Sequence, residues 1–207
     1  MTDKKKWKRG GKRVREPSAE ELWQHSSFKY ALEHICPRLK PRNVLEWGPG
    51  PSTMLLARLC PGARILTIEH SDEWADRFEF NLDRSIPEIK SRISLKRLAI
   101  GGNGESQGYS TYPLMLNKSL GSTFDLVFVD GRQRADCLTV AYSVMSALGV
   151  VVLHDAHREN YLKNADLFHF CRILEKQRTA ILSNYPIDRV LEGFEEVGFD
   201  DGEGSND

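Results

Sequence analysis

Four short apolar runs in this chain each end in a residue that can bind a hydroxyl or move a proton. Glu46 sits in the run NVLEW, two residues before Gly48, and Glu69-His70 close RILTIE. Asp130 closes FDLVFVD, and His154-Asp155 follow VVVL. A fifth run, Ile93 to Ile100, leads into Gly101-Gly102. A carboxylate at such a place can take the hydroxyls of a ribose, and Glu69 stands where one would. Imidazole titrates near neutral pH, so His154 or His157 can serve as a general base. Their other role is to hydrogen-bond and cap the loop that carries them. Scattered surface acids would rarely fall so regularly, and ligands of open α/β sheets bind beyond the carboxyl ends of the strands. The pattern therefore predicts one site.

The stretch Asn43 to Leu59 organises that site. Gly48-Pro49-Gly50-Pro51 separates a short buried strand from a helix beginning near Ser52. Glycines let backbone approach a ligand closely, and Pro51 suits the first helical position, where its missing N–H costs nothing. The free N–H groups of the helix start favour an anionic or polar partner. A dinucleotide fingerprint would carry a third glycine where Thr53 stands, so Gly48 and Gly50 alone leave a plain turn open as the alternative.

The elements that must position these residues alternate. Ser18 and Glu21 form a capping box for a helix from Ala19 to about Cys36, ended by Pro37. A helix is expected from Ser71-Asp72 through Leu82, with Trp74 and Phe78 four apart on one face. The polar loop GGNGESQG, residues 101–108, follows the third strand. FDLVFVD reads as a buried parallel strand. A helix from Arg134 to Leu148 is expected to close at Gly149, and another to run from Asn160 to Gln177. Ala180–Asn184 and Val190–Phe199 are the expected closing strands. The whole predicts an α/β fold, a doubly wound and mostly parallel sheet with helices on both faces and right-handed winding.

Composition sets the bounds. The 207 residues carry 40 % hydrophobic and 28 % charged side chains and no net charge, an ordinary balance for a globular domain. The expected organisation is a basic, disordered arm over 1–17, one domain over 18–199 and an acidic tail over 200–207. No apolar run approaches the roughly 20 residues that span a bilayer, and the charged start does not resemble a secretory signal. Four scattered cysteines without paired spacing are expected to be reduced thiols. A cytoplasmic location follows. The basic arm, with Trp7 inside it, can hold phosphate and so offers a route to nucleic acid.

The acid-x-Gly-x-Gly turn of the first strand, and the acid closing the second, resemble the S-adenosylmethionine site of class I methyltransferases. FDLVFVDGRQR and GVVVLHDAHRENY are similar to the fourth and fifth strands of O-methyltransferase-like members of that superfamily. The resemblance covers roughly residues 43–161. It implies a Rossmann-like fold, with Glu46, Gly48, Gly50 and Glu69 binding S-adenosylmethionine and Ile100 and Gly101 near its adenine. In metal-dependent relatives, acids at the ends of the fourth and fifth strands bind a divalent cation. Asp130 and Asp155 match those positions, which brings in Mg²⁺, although Asp-Gly and His-Asp depart from the family pattern. Without metal, catalysis falls to Asp130, His154 and His157. The implied activity is O-methylation of a small-molecule or sugar-like acceptor. A nucleic-acid methyltransferase using the basic arm and a non-catalytic cofactor-binding module are the alternatives. An adenine methylase would carry a Pro-Pro-aromatic run where Gly131-Arg132-Gln133 stands.

Overall fold

The computed structural model describes residues 26–100, 108–120 and 123–196. The basic arm, the Ser18–Glu21 capping box, Gly101 with most of the glycine-rich loop, and the acidic tail lie outside them. Seven strands form one sheet in the order β3-β2-β1-β4-β5-β7-β6. They are β1 (Asn43–Trp47), β2 (Arg64–Glu69), β3 (Ile93–Arg97), β4 (Phe124–Val129), β5 (Met145–His154), β6 (Phe170–Leu174) and β7 (Thr179–Ser183). The first five pair in parallel, and β7 runs antiparallel to both β5 and β6.

Helices cover both faces. They are α1 (Lys29–Leu39), α2 (Pro51–Leu59), α3 (Asp72–Leu82), the one-turn α4 (Pro87–Lys90), α5 (Tyr112–Leu120), α6 (Arg134–Val144) and the one-turn α7 (Asp188–Leu191). Strand residues divide between two cores in strict alternation. Val44, Leu126, Phe128, Val150 and Val152 pack on one side with α1 and α2. Leu45, Val127, Val129, Val151 and Leu153 pack on the other with α6. A strand covered on both faces must be apolar along its covered length; VVVL is, and so is LVFV of β4, whose one polar residue, Asp125, lies near the strand start and accepts from the Arg42 and Asn43 N–H groups. Among the described residues no helix is long and apolar enough to cross a membrane.

Several boundaries differ from those expected. Helix α1 continues through Pro37 to Leu39 and closes on Lys40, whose N–H reaches the Cys36 carbonyl at 2.9 Å from a left-handed conformation. Helix α6 stops at Val144, and β5 begins at the very next residue. Gly149 is therefore no helix cap. It lies inside β5, where the register against β4 shifts between Phe124 and Leu126 and a Cβ would meet the Phe124 carbonyl at 3.0 Å. The helix expected over 160–177 is absent. Three-residue 3₁₀ turns and strand β6 occupy that span, because the apolar residues of FCRIL sit on the outer strand of the sheet rather than on a helix face. The strand expected from Val190 is instead α7, which buries Val190 and Leu191 against α1. Cys36, Cys60 and Cys137 are buried free thiols, and Cys171 is exposed.

Candidate functional site

The turn after β1 is built from the inside. Glu46 is fully buried and its two carboxylate oxygens each accept one short hydrogen bond, from Ser52 Oγ and Thr53 Oγ1, both at 2.6 Å. Burial pushes the Glu46 carboxyl up to about 7, against the hydroxyls, which pull it down. Thr53 Oγ1 also accepts from the Gly50 N–H at 3.0 Å. Thr53 thus ties helix α2, the turn and the strand end together where a dinucleotide fold would place glycine. Gly48 has φ +88 and the close neighbour Gly131, so its glycine is required by the packing of two strand ends. Gly50 is extended, and a Cβ there would enter open space.

Glu69 ends β2. Its Oε1 accepts from the N–H groups of His70 and Ser71, both at 2.7 Å, and His70 Nδ1 lies 2.7 Å from the same oxygen. These contacts pin the carboxylate through one oxygen. Ser71 caps α3, and Trp74 in its first turn donates its indole N–H to the Pro49 carbonyl at 2.7 Å. The indole bridges the glycine turn and α3, yet remains 46 % exposed.

The ends of β4 and β5 meet around Arg134. Its guanidinium uses all five of its N–H donors. Nε bonds the Gly131 carbonyl, Nη1 the His154 carbonyl and Asp155 Oδ2, and Nη2 the Asp130 carbonyl and Oδ1, at 2.6 to 3.2 Å. The ring of Tyr161 covers it, 4.5 Å away, a cation–π contact. Asp155 and Gln133, at the two turns facing this arginine, both adopt left-handed backbone, with φ +57 and +50. Non-glycine residues hold that conformation only where the surroundings fix it. His154 Nδ1 contacts Asp130 Oδ1 at 2.8 Å, and Nε2 contacts Ser27 Oγ at 2.9 Å. An ionised carboxylate only accepts, so neutral His154 carries its proton on Nδ1 and accepts from Ser27.

A cavity of about 690 Å³ opens between these ends, within the size range of small-molecule sites. The turn after β1 (Gly48, Pro49, Gly50) and the end of β2 with α3 (Glu69, His70, Trp74) line it together with Asp130, Arg132, Arg134, Arg158 and Tyr161. Of the residues named from sequence, Gly48, Gly50, Glu69 and Asp130 line it. Glu46 and His154 lie behind that lining and hold residues of it. His157 is exposed on the turn after β5, outside the lining, and Ile100 is partly buried against the α6 core. Gly101 is outside the described residues. Trp74, Ser27 and the bridging role of Arg134 were not legible, since each acts through partners far away in sequence. Tyr109 is a further such residue: fully buried, it accepts from the Arg132 N–H at 3.2 Å. Burial pushes its phenol up, away from acid–base work at neutral pH.

Asp130, His154 and Asp155 bring three ligand atoms within 4.8 Å of one another. They do not fit a hard cation while Arg134 is in place. One oxygen of each carboxylate, Asp130 Oδ1 and Asp155 Oδ2, already accepts from the guanidinium, so a fixed positive charge bridges the two acids that a hard cation would need.

No protein-family model and no curated protein matches the sequence. Solved structures do resemble it. An O-methyltransferase from Bacillus cereus in complex with SAH shares 18 % identity, over 82 % of this chain and 94 % of its own, at a TM-score of 0.59. A methyltransferase-like protein from Silicibacter pomeroyi shares 20 %, over 87 % and 94 %, at 0.57. An O-methyltransferase from Streptomyces achromogenes involved in tomaymycin synthesis, in complex with SAM, shares 24 %, over 67 % and 59 %, at 0.51. At such identities the likeness is one of fold: this seven-stranded α/β sheet is the fold of these methyltransferase structures.

Proposed function

We propose that this chain is a methyltransferase that uses S-adenosylmethionine to methylate an oxygen of a small-molecule or sugar-like acceptor. The observation that carries the reading is the convergence of the ends of β1, β2 and β4 and the turn after β5 on one cavity, in a sheet of this order. Its cofactor end fits the group. Glu69 is pinned through Oε1, which leaves its other oxygen for ribose hydroxyls. The turn Gly48–Gly50 supplies backbone without side chains, and the Trp74 indole supplies an apolar edge.

S-adenosylmethionine, when bound, supplies a methyl group on a sulfonium, transferred by in-line displacement. The chain's part is to orient the acceptor and take its proton. Asp130 is the group for that proton, because it lines the cavity while His154 and Arg134 hold its Oδ1, leaving Oδ2 for the acceptor hydroxyl. His154 is a positioning residue, itself set by Ser27. Arg132 and Arg158, both exposed at the acceptor end, favour an acceptor that carries an anionic group.

Calorimetric titration with S-adenosylmethionine, S-adenosylhomocysteine and NAD, with Glu69→Ala alongside, tests the reading. Micromolar binding of both sulfur ligands, lost in the variant and absent for NAD, supports it. Failure of wild type to bind either sulfur ligand sinks it.

A further inference from the structure

We infer that Arg134 stands in the cation position of this site, so that the protein holds Asp130 and Asp155 with a guanidinium and has no divalent-metal site there. Three independent observations converge on it. The guanidinium bridges the two carboxylates, with Nη2 on Asp130 Oδ1 at 3.0 Å and Nη1 on Asp155 Oδ2 at 3.2 Å. It is itself 8 % exposed, and every donor it has is spent on the ends of β4 and β5. It is also roofed by the Tyr161 ring at 4.5 Å. A side chain so fully committed is a built part of the site, because a planar fork of five fixed donors matches two carboxylates and three carbonyls only in one placement.

The chemistry follows from what each cation can do. A divalent ion binds carboxylates through oxygen and keeps open positions for water or an acceptor. A guanidinium with all its donors used has no such position. It neutralises and fixes Asp130 and Asp155 but does not itself ligate the acceptor. Acceptor binding then rests on the remaining lining groups, and proton removal on Asp130 with His154 behind it. Arg134 is thus a positioning residue. The inference concerns this constellation alone and would stand or fall even if the bound cofactor were different.

The test is Mn²⁺ binding, followed by electron paramagnetic resonance and calorimetry on the full chain. Wild type, Asp155→Asn, Arg134→Ala and Arg134→Ala/Asp155→Asn are compared, with thermal melts to establish folding. Wild type is expected to show no stoichiometric Mn²⁺ site up to millimolar ion, and its melting to be unmoved by chelator. Arg134→Ala leaves Asp130, His154 and Asp155 around a vacated cationic position. It is expected to gain one Mn²⁺ per chain, lost again in the double variant. One Mn²⁺ per wild-type chain, abolished by Asp155→Asn, would overturn the inference, as would a folded Arg134→Ala that binds no metal. If Arg134→Ala does not fold, wild type against Asp155→Asn still decides. Because metal binding is read directly, failure here is distinguishable from failure of the methyltransferase reading, which cofactor titration tests.

Discussion

Gly48 and Gly131 meet backbone against backbone at the mouth of the sheet: a Cβ on Gly48 would lie 2.8 Å from the Gly131 nitrogen and 2.9 Å from its Cα. A Cβ on Gly131 would in turn overlap the buried Tyr109 hydroxyl. The ends of β1 and β4 are therefore locked by two residues without side chains, with a tyrosine beneath one of them. Gly131→Ala is expected to destabilise the fold by about 1–3 kcal/mol through overpacking. Tyr109→Phe, which forfeits the bond from the Arg132 N–H, should cost about 1 kcal/mol. Since Tyr109→Phe also removes the overlapping oxygen, the double variant should be less destabilised than the sum. Denaturant unfolding of the four proteins checks this, and strict additivity would refute it.

Glu46 makes stability depend on pH in an unusual direction for a carboxylate. Burial raises its folded pKa from the ordinary 4.5 to about 7. The folded state then holds the proton more tightly than the unfolded chain. Its stabilising contribution is complete below about 4.5 and is lost as pH rises through about 7. At about 1.4 kcal/mol per pH unit, that interval sets a loss of roughly 3 kcal/mol. Urea unfolding at pH 4.5, 6 and 8 should show wild type losing stability relative to Glu46→Gln, whose amide does not ionise. Parallel pH dependence of the two proteins would rule Glu46 out as the source.

What the sequence disclosed depended on whether the signal was local. Buried strands such as FDLVFV announce themselves, because both faces are covered and the run is apolar except for Asp125 near its start. The carboxyl ends of β1, β2, β4 and β5 were legible for the same reason: each carries an acid or histidine at or beside the end of a mostly apolar run. Strand β6 was not. Phe170 and Ile173 are partly exposed on an edge strand, so FCRIL lacks the alternation of a half-buried strand, and its apolar neighbours mimic a helix. The junction of α6 with β5 was hidden because no turn separates Val144 from Met145, and Gly149 looked like a cap. Within the site, Glu46 reads as a ligand contact from its position, whereas its role is set by Ser52 and Thr53 closing over it. Arg134 reads from sequence as the first residue of an expected helix. Only the fold brings His154 and Asp155, some twenty residues away, within reach of one guanidinium.

Trp74 joins α3 to the glycine turn through its bond to Pro49, and it lines the cavity while half exposed. Trp74→Phe keeps an aromatic ring but removes the N–H. The lost bond is worth about 1 kcal/mol of stability, so melting should fall by a few degrees, and the Kd for S-adenosylhomocysteine should rise because the glycine turn loses its tie to α3. Tryptophan fluorescence offers a second readout: quenching on ligand binding in wild type should largely disappear in the variant. Unchanged affinity and unchanged quenching would remove Trp74 from the site.

Asp130 and His154 separate the two roles within the proposed base. Asp130→Asn keeps an oxygen for Arg134 to donate to, so the fold should survive, but the amide cannot take a proton. A general base of this kind contributes about 10²- to 10⁴-fold, and kcat should fall by that factor while cofactor affinity stays near wild type. His154→Asn leaves the carboxylate in the cavity and removes only its orienting partner, so its loss should be smaller, on the order of tenfold. Ser27→Ala, one contact further out, should do less still. The order Asp130, His154, Ser27 in decreasing effect on kcat is the signature of a base reached through Asp130. An order led by His154, with Asp130→Asn nearly silent, would transfer the proton-accepting role to the imidazole and require Ser27 to move aside from Nε2.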